Sequence, residues 1–312
     1  GDDGGAGAAG AQGPAGPAGP AGPPGASGSV PVTSADEIHV EILGVTVPAG
    51  GGPPVVSLKL TNELDQGLSG LPAANLAFLI AQLSPGSAGA PSVWQAYVTR
   101  ADGGIDDVQA SVESAAVGTF VERGGGEYEY TFAAALTDYP AGPSYDEFKT
   151  HRLGVEIRTR TGGFMSVNLP ANNAPYDFVP AGGPVSFTRA IVGDRQCNAC
   201  HDNLELHGEA RFDIDYCVQC HNPFSVDGNT GNSVDMALMT HKIHHGEALS
   251  DGYRIIGFGN REHDYSSVRF SQDVRNCGAC HDETDPATPD AGQWKTLAAR
   301  ETCGSCHDAI QW

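Results

Sequence analysis

The sequence has no cysteine to spare. All eight fall in four Cys-x-x-Cys-His motifs, at residues 197–201, 217–221, 277–281 and 303–307, so no thiol remains for a disulfide. No apolar run approaches the ~18 residues of a membrane helix. No signal-peptide pattern opens the chain, as expected of a mature form. Basic residues are scarce. The 17 Lys and Arg against 38 Asp and Glu leave a formal charge of −21. That balance argues against a nucleic-acid partner, which needs basic patches, and against binding to anionic lipid. It predicts a self-repelling, soluble surface, with docking through the acid as the alternative. EF-hand spacing is also missing. Asp106 and Asp107, and the ETDPATPD run at 283–290, therefore read as solvated loops rather than calcium sites.

What is present is concentrated in those four motifs. Cys-x-x-Cys-His is the attachment pattern of haem c. The two thiols add across the vinyl groups as thioethers, and the adjacent histidine reaches the iron. Zinc ribbons or thioredoxin-like pairs built from CxxC would need histidine to follow all four pairs by chance. The expectation is four haem c groups. They would be attached at Cys197 and Cys200, Cys217 and Cys220, Cys277 and Cys280, and Cys303 and Cys306, with proximal ligands His201, His221, His281 and His307. Haem c is attached outside the cytoplasm, so an exported protein is expected.

The 312 residues suffice for about two ordinary domains, and three regions can be told apart. Residues 1–32 form an arm in which glycine recurs at every third position from Gly1 to Gly28, with prolines between. This is the Gly-X-Y pattern of collagen, which serves either as a semi-rigid spacer or as a means of bundling chains. Residues 33–188 read as an all-β sandwich or Greek-key barrel of roughly eight strands. The segments are IHVEILGVTV, VVSLKL, LAFLIAQL, VWQAYVT, GTFVER, YEYTF, RLGVEIRT and FMSVNL. Nothing in this region looks catalytic. Residues 189–312 hold all four motifs. So short a stretch cannot build a large core of its own. The porphyrins themselves are expected to form the core, wrapped by loops and short helices.

A haem iron has a second axial position, and its occupant decides function. Five histidines of the last region lie outside the motifs: His207, His241, His244, His245 and His263. Four irons need four. His207 follows its own motif too closely to serve the same iron and is expected to cross to a neighbour. The stretch SVDMALMTHKIHHG (233–246) reads as a helix stopped by Gly246. It places His241, His244 and His245 near one face. The distal set is therefore His207, His241, His244 and His263. His245, His39 and His151 are secondary candidates for a distal or inter-subunit ligand, against a structural or exposed reading of each. Met236 and Met239 are alternatives as ligands, with core packing preferred.

The run CNACHDNLELHG, CVQCHNP, GNSVDM, HKIHHG, HDYSSVRFSQDVRNCGACH and CGSCHD resembles the outer-membrane decahaem cytochromes of OmcA/MtrC type. THRLGVEIRTR, YDFVPAGG and TRAIV before the first motif are similar too. The resemblance covers about residues 33–312. It implies a β domain followed by a multihaem domain, bis-histidine ligation, and electron transfer at the bacterial cell surface to minerals, flavins or partner cytochromes. By that resemblance His207 matches the CH-x-x-L-x-x-H-G histidine, His241 and His244 the HKIH pair, and His263 the HD-F/Y-S histidine. This chain departs from the family in having one β–haem pair rather than two, and four motifs rather than ten. So short a relay resembles the subunits of extracellular cytochrome filaments, and the Gly-X-Y arm adds a reason to expect homo-oligomers. The opening GDDGG resembles the residues after a lipoprotein cysteine, but that cysteine is absent from the sequence. The expected function is an extracellular electron carrier, working as an oligomer or filament. The alternatives are a monomeric cell-surface cytochrome, a multihaem reductase with an open iron, and a structural or adhesive protein.

Overall fold

The computed structural model describes residues 28–86, 89–101, 108–158, 168–297 and 299–310. Most of the Gly-X-Y arm, Asp106, Asp107 and most of FMSVNL lie outside them. At the end of the expected arm, Val30 and Pro31 pair in parallel with Leu68 and Ser69, and Val32 is buried.

Two antiparallel sheets face one another. The first runs, in spatial order, Thr119–Gly124, Glu127–Thr131, Val55–Thr61 and His39–Thr46. The second runs Asn172–Phe178, His151–Ile157, Leu76–Ser84 and Val93–Ala96, with Glu113–Ser114 beside Leu76–Ser84. Val56, Leu58 and Leu60 alternate inward from the first sheet, as a half-buried strand requires. They meet Phe78, Ile80, Leu153, Val155 and Ile157 of the second. Phe78 stacks on Tyr130 across the gap, with ring centroids 4.3 Å apart.

The second sheet is buried on both faces, which is why LAFLIAQL does not alternate. Leu79 and Ala96 pack on Tyr216, while Ala81, Leu83 and Trp94 pack with Val218. Asn172–Phe178 was not anticipated as a strand. Pro175 cannot donate to a ladder, and the strand accordingly lies at the sheet edge. VWQAYVT breaks into Val93–Ala96 and Thr99–Ala101.

Among the described residues the region after residue 189 is irregular, with four short α-helices: α1 (Asp194–His201), α2 (Ile214–Cys220), α3 (Met236–His245) and α4 (Arg300–Gly304). A hairpin pairs Arg254–Gly257 with Arg261–Asp264. Among the described residues no helix is long and apolar enough to cross a membrane.

Helix α2 seats directly on the second sheet. Along His151–Ile157, Leu153, Val155 and Ile157 point to the sandwich core, so Arg152, Gly154 and Glu156 point the other way, toward α2. Arg152 reaches Asp215 of α2, and Glu156 accepts from the Tyr216 hydroxyl at 2.6 Å. Gly154 sits between them because a Cβ there would lie 2.7 Å from the Tyr216 ring and 2.8 Å from Gln219 Nε2. The ring is almost fully buried and has nowhere to retreat. Gly154→Ala should therefore cost about 1–3 kcal/mol by overpacking. A denaturant curve with an unchanged slope and a lower midpoint is the expected result.

Candidate haem-attachment and ligand site

Each motif occupies one helical turn. The first lies in α1, the second in α2 and at its C-cap, the third begins in the 3-10 turn Cys277–Ala279, and the fourth begins in α4. The backbone N–H of His221, His281 and His307 donates to the carbonyl of the first cysteine of its own motif, at 2.9, 2.9 and 3.0 Å. A helical turn puts Cys, Cys and His on one face, the arrangement that two thioethers and an adjacent ligand need. Asp213 caps α2 by accepting from Tyr216 N at 2.8 Å. Burial pushes its carboxyl up to about 6. Burial also pushes the Cys197, Cys217 and Cys220 thiols up to about 11, 12 and 11.

His207 is placed by a tight loop. Leu206 and Arg211 pair across its base. His207, Gly208 and Glu209 follow one another at φ 54°, 75° and 64°, a left-handed run that turns the chain sharply and suits glycine at its centre. The ring faces His221 of the second motif, at 5.9 Å between centroids. Two further facing pairs come from α3. His244 stands 6.0 Å from His201, and His241 stands 6.2 Å from His281. The structure thus sets three motif histidines each opposite one histidine from outside the motifs. Such gaps admit one metal ion with a nitrogen bond of about 2 Å on either side.

Ring chemistry fits the same use. Nδ1 of His221, His241 and His244 lies 2.8, 2.6 and 2.9 Å from the carbonyls of Val234, Ala237 and Thr240. A carbonyl only accepts, so Nδ1 carries the proton and Nε2 is left with a free lone pair. This is the usual support for a metal-binding imidazole. Burial lowers the pKa of His207, His221, His241, His244 and His281, that of His207 to about 4. They stay neutral, the form that ligates. A zinc ribbon needs several ligands around one point. Among the described residues no three of His, Cys, Asp and Glu gather in that way.

The other candidates are placed differently. His263 lies on the exposed hairpin strand Arg261–Asp264 with its ring close to Gly257. His307 is exposed, and no facing pair joins the two among the described residues. His245 Nδ1 is buried with no partner among the described residues. His39 is half-exposed beside Glu37. His151 is fully buried. Its Nδ1 bonds Lys149 O and its Nε2 the Tyr97 hydroxyl, both at 3.0 Å, so neither nitrogen is free for an iron. Met236 Sδ accepts from Thr240. The acidic run at 283–290 is occupied internally: Asp285 pairs with Arg195, Glu283 with Lys295, and Asp290 accepts from Ala190 N.

Sequence reasoning passed over Arg152, Glu156 and Asn173, which fasten this site to the sheet. Asn173 donates to Ala210 O and accepts from Phe212 N. The polar face Arg152, Gly154, Glu156 is legible as alternation, and by pattern alone such a face belongs in water.

Fold and site together define a multihaem c-type cytochrome. The family model described as outer membrane cytochrome MtrC/MtrF-like, domains II/IV, matches residues 189–311. The curated multiheme cytochrome MtrC of Shewanella baltica (strain OS185) is 30% identical over 267 residues, 84% of this chain and 35% of that protein. Among solved structures, the outer membrane decaheme cytochrome OmcA superposes with a TM-score of 0.75 at 29% identity, over 89% of this chain and 44% of that one. MtrC from Shewanella baltica OS185 does so at 0.64 and 27%, over 88% and 40%. By these matches the chain is similar to the OmcA/MtrC-type outer-membrane multihaem cytochromes. It spans about a third of the curated relative's length and less than half of either solved chain.

Proposed function

We propose that the chain carries electrons outside the cell through four bis-histidine haem c groups. The observation behind this reading is the three facing histidine pairs, each joining a motif histidine to an imidazole from outside the motifs. His244 would complete the first site, His207 the second and His241 the third, which leaves His263 for the fourth. Each haem, when bound, supplies a one-electron Fe(III)/Fe(II) couple. The paired histidines of the chain would hold it from both sides, and burial and nearby charge would set each potential. With both positions filled there is no open iron for a substrate, which favours a carrier over a reductase. Nonspecific reduction of metals or flavins at an exposed haem edge remains compatible with that role.

The motifs also have an order in space. His207, from the loop after the first motif, reaches the second. His244 and His241, three residues apart on α3, serve the first and third. Cys197 lies within electrostatic reach of Cys280, and Cys306 of Cys277. The relay therefore runs second, first, third, fourth. Its natural partners are other multihaem cytochromes, extracellular acceptors and further copies of this chain. The Gly-X-Y arm is suited to joining copies into an oligomer or filament.

The test is a haem count and a ligand probe on protein matured in a host that attaches haem c. The expected result is four haems per chain, all low-spin in both redox states and unchanged by carbon monoxide. Fewer haems, or an iron that binds carbon monoxide in the native protein, would overturn the bis-histidine carrier. Electron microscopy with and without residues 1–27 tests assembly. Filaments or oligomers that dissolve on truncation are expected, and discrete particles from both would leave a single-copy cell-surface carrier.

A further inference from the structure

The second haem site is the one built against the β-sheet, and the contact surface there is charged. Glu156 is 2% exposed and stands between two guanidinium groups. Arg158 Nε donates to its Oε1 at 3.1 Å. Arg211 Nε donates to its Oε2 at 3.2 Å, an oxygen that also receives the Tyr216 hydroxyl at 2.6 Å. Two cations around one carboxylate leave one net positive charge. Arg211 is itself only 21% exposed, so water screens it weakly.

This charge is close to everything that would hold the second haem. Arg211 springs from the base of the loop whose tip is His207, with Leu206 N donating to Arg211 O at 2.8 Å. Its guanidinium lies 6.0 Å over the Tyr216 ring. That ring forms, with Leu79 and Ala96, the cluster on which Cys220 packs. Arg211 is within electrostatic reach of His207, His221 and Cys220. The nearest comparable ion pair of the first site, Arg195 with Asp282 and Asp285, leaves Arg195 67% exposed, so solvent screens its charge much more. The second site thus has at its edge a charge that solvent screens only weakly.

We propose that the triad of Arg211, Glu156 and Arg158 is a fixed-charge device by which the β-sheet sets the reduction potential of the haem held by Cys217, Cys220, His207 and His221. The inference rests on the electron-carrier reading. Reduction adds one negative charge, and a buried positive charge stabilises the reduced form. Arg211 therefore raises this potential and Glu156 lowers it. They are positioning and tuning residues, since neither occupies an axial place. Glu156 also anchors Tyr216, so a purely structural role has to be told apart from an electrostatic one.

The experiment is a potentiometric titration of the holoprotein, resolved into its four one-electron components, for the native chain and for Glu156→Gln, Arg211→Gln, Arg211→Lys and the double variant Glu156→Gln/Arg211→Gln. Circular dichroism establishes that each is folded. One and the same component should rise in Glu156→Gln and fall in Arg211→Gln. It should return toward its native value in the double variant, where the net charge is restored although both contacts are lost. It should stay near native in Arg211→Lys, which keeps the charge without the fork. Loosening of the loop alone would move both single variants in the same direction and the double variant further still, and that result overturns the proposal, as does a component that moves in none of them. A native chain with fewer than four components would instead count against the carrier reading, so the two failures are separable.

Discussion

Replacing Arg152 by Met should lower the stability of the protein by about 3 kcal/mol, the largest single loss expected from any surface-distant polar residue in the fold. The side chain is 4% exposed. Nε and one terminal nitrogen clasp both oxygens of Asp177 at 2.5 and 3.0 Å, and the other terminal nitrogen takes Asp215 Oδ1 at 2.6 Å and Asp215 O at 3.1 Å. The guanidinium also lies 4.5 Å over the Trp94 ring. Methionine would fill much of the volume but leave Asp177, 20% exposed, with the Thr188 hydroxyl and no cation, whereas Asp215 is 47% exposed and can be rehydrated. The cost therefore falls at the low end of the ~3–5 kcal/mol range for breaking a buried pair. Arg152→Lys should recover little of it, because one ammonium cannot meet two carboxylates and an aromatic face together. Urea unfolding followed by tryptophan fluorescence measures both. A loss under about 1 kcal/mol would mean that the pair behaves as a surface ion pair. The consequence reaches the haem region, since Arg152 holds the helix that carries Cys217 and Cys220.

The same strand shows how far the sequence could be read. RLGVEIRT alternates correctly, and Leu153, Val155 and Ile157 fall in the core as a half-buried strand requires. The other face carries Arg, Gly and Glu, which by pattern alone belongs in water. It is covered because α2 brings the complementary groups, Asp215 and Tyr216, and no local pattern announces a partner 60 residues away. LAFLIAQL held the missing hint. A strand without alternation is buried on both sides, so something had to cover the sheet. Asn172–Phe178 escaped notice because Asn, Pro and Asp are poor strand formers, and only its place at the edge makes Pro175 acceptable.

The helical turns of the four motifs and the shared face of the α3 histidines were legible because spacing fixes which side chains lie together. Two histidines three apart on a helix can only face neighbouring partners, and His241 and His244 do face His281 and His201. Which partner each takes was not legible, since that depends on how irregular loops fold back. The left-handed turn at His207 is the clearest case. Counting histidines also could not separate a spare from a ligand. His151 matched the others in kind until its two ring nitrogens were seen to be bonded within the sandwich.

The proposed relay order makes His244 the histidine whose loss should do most to function. His244→Ala would empty the position opposite His201, at the site that lies between the second and third in space. One haem of the four should then turn from low-spin to high-spin and bind carbon monoxide, while the other three keep their spectra. His244→Met should instead keep that haem six-coordinate and raise its potential, by part of the ~0.8 V range that axial ligands command. His207→Ala opens an iron too, but at the end of the order, so transfer among the remaining sites should persist. Protein-film voltammetry tells these apart: interrupted exchange between the second site and the third and fourth for His244→Ala, and loss of one terminal component for His207→Ala. Equal effects from the two would contradict the order. His244 Nδ1 is bonded to Thr240 O within α3 itself, so the ring is oriented by its own helix before any iron is present. Removing the side chain should leave that helix, and His241 one turn away, in place.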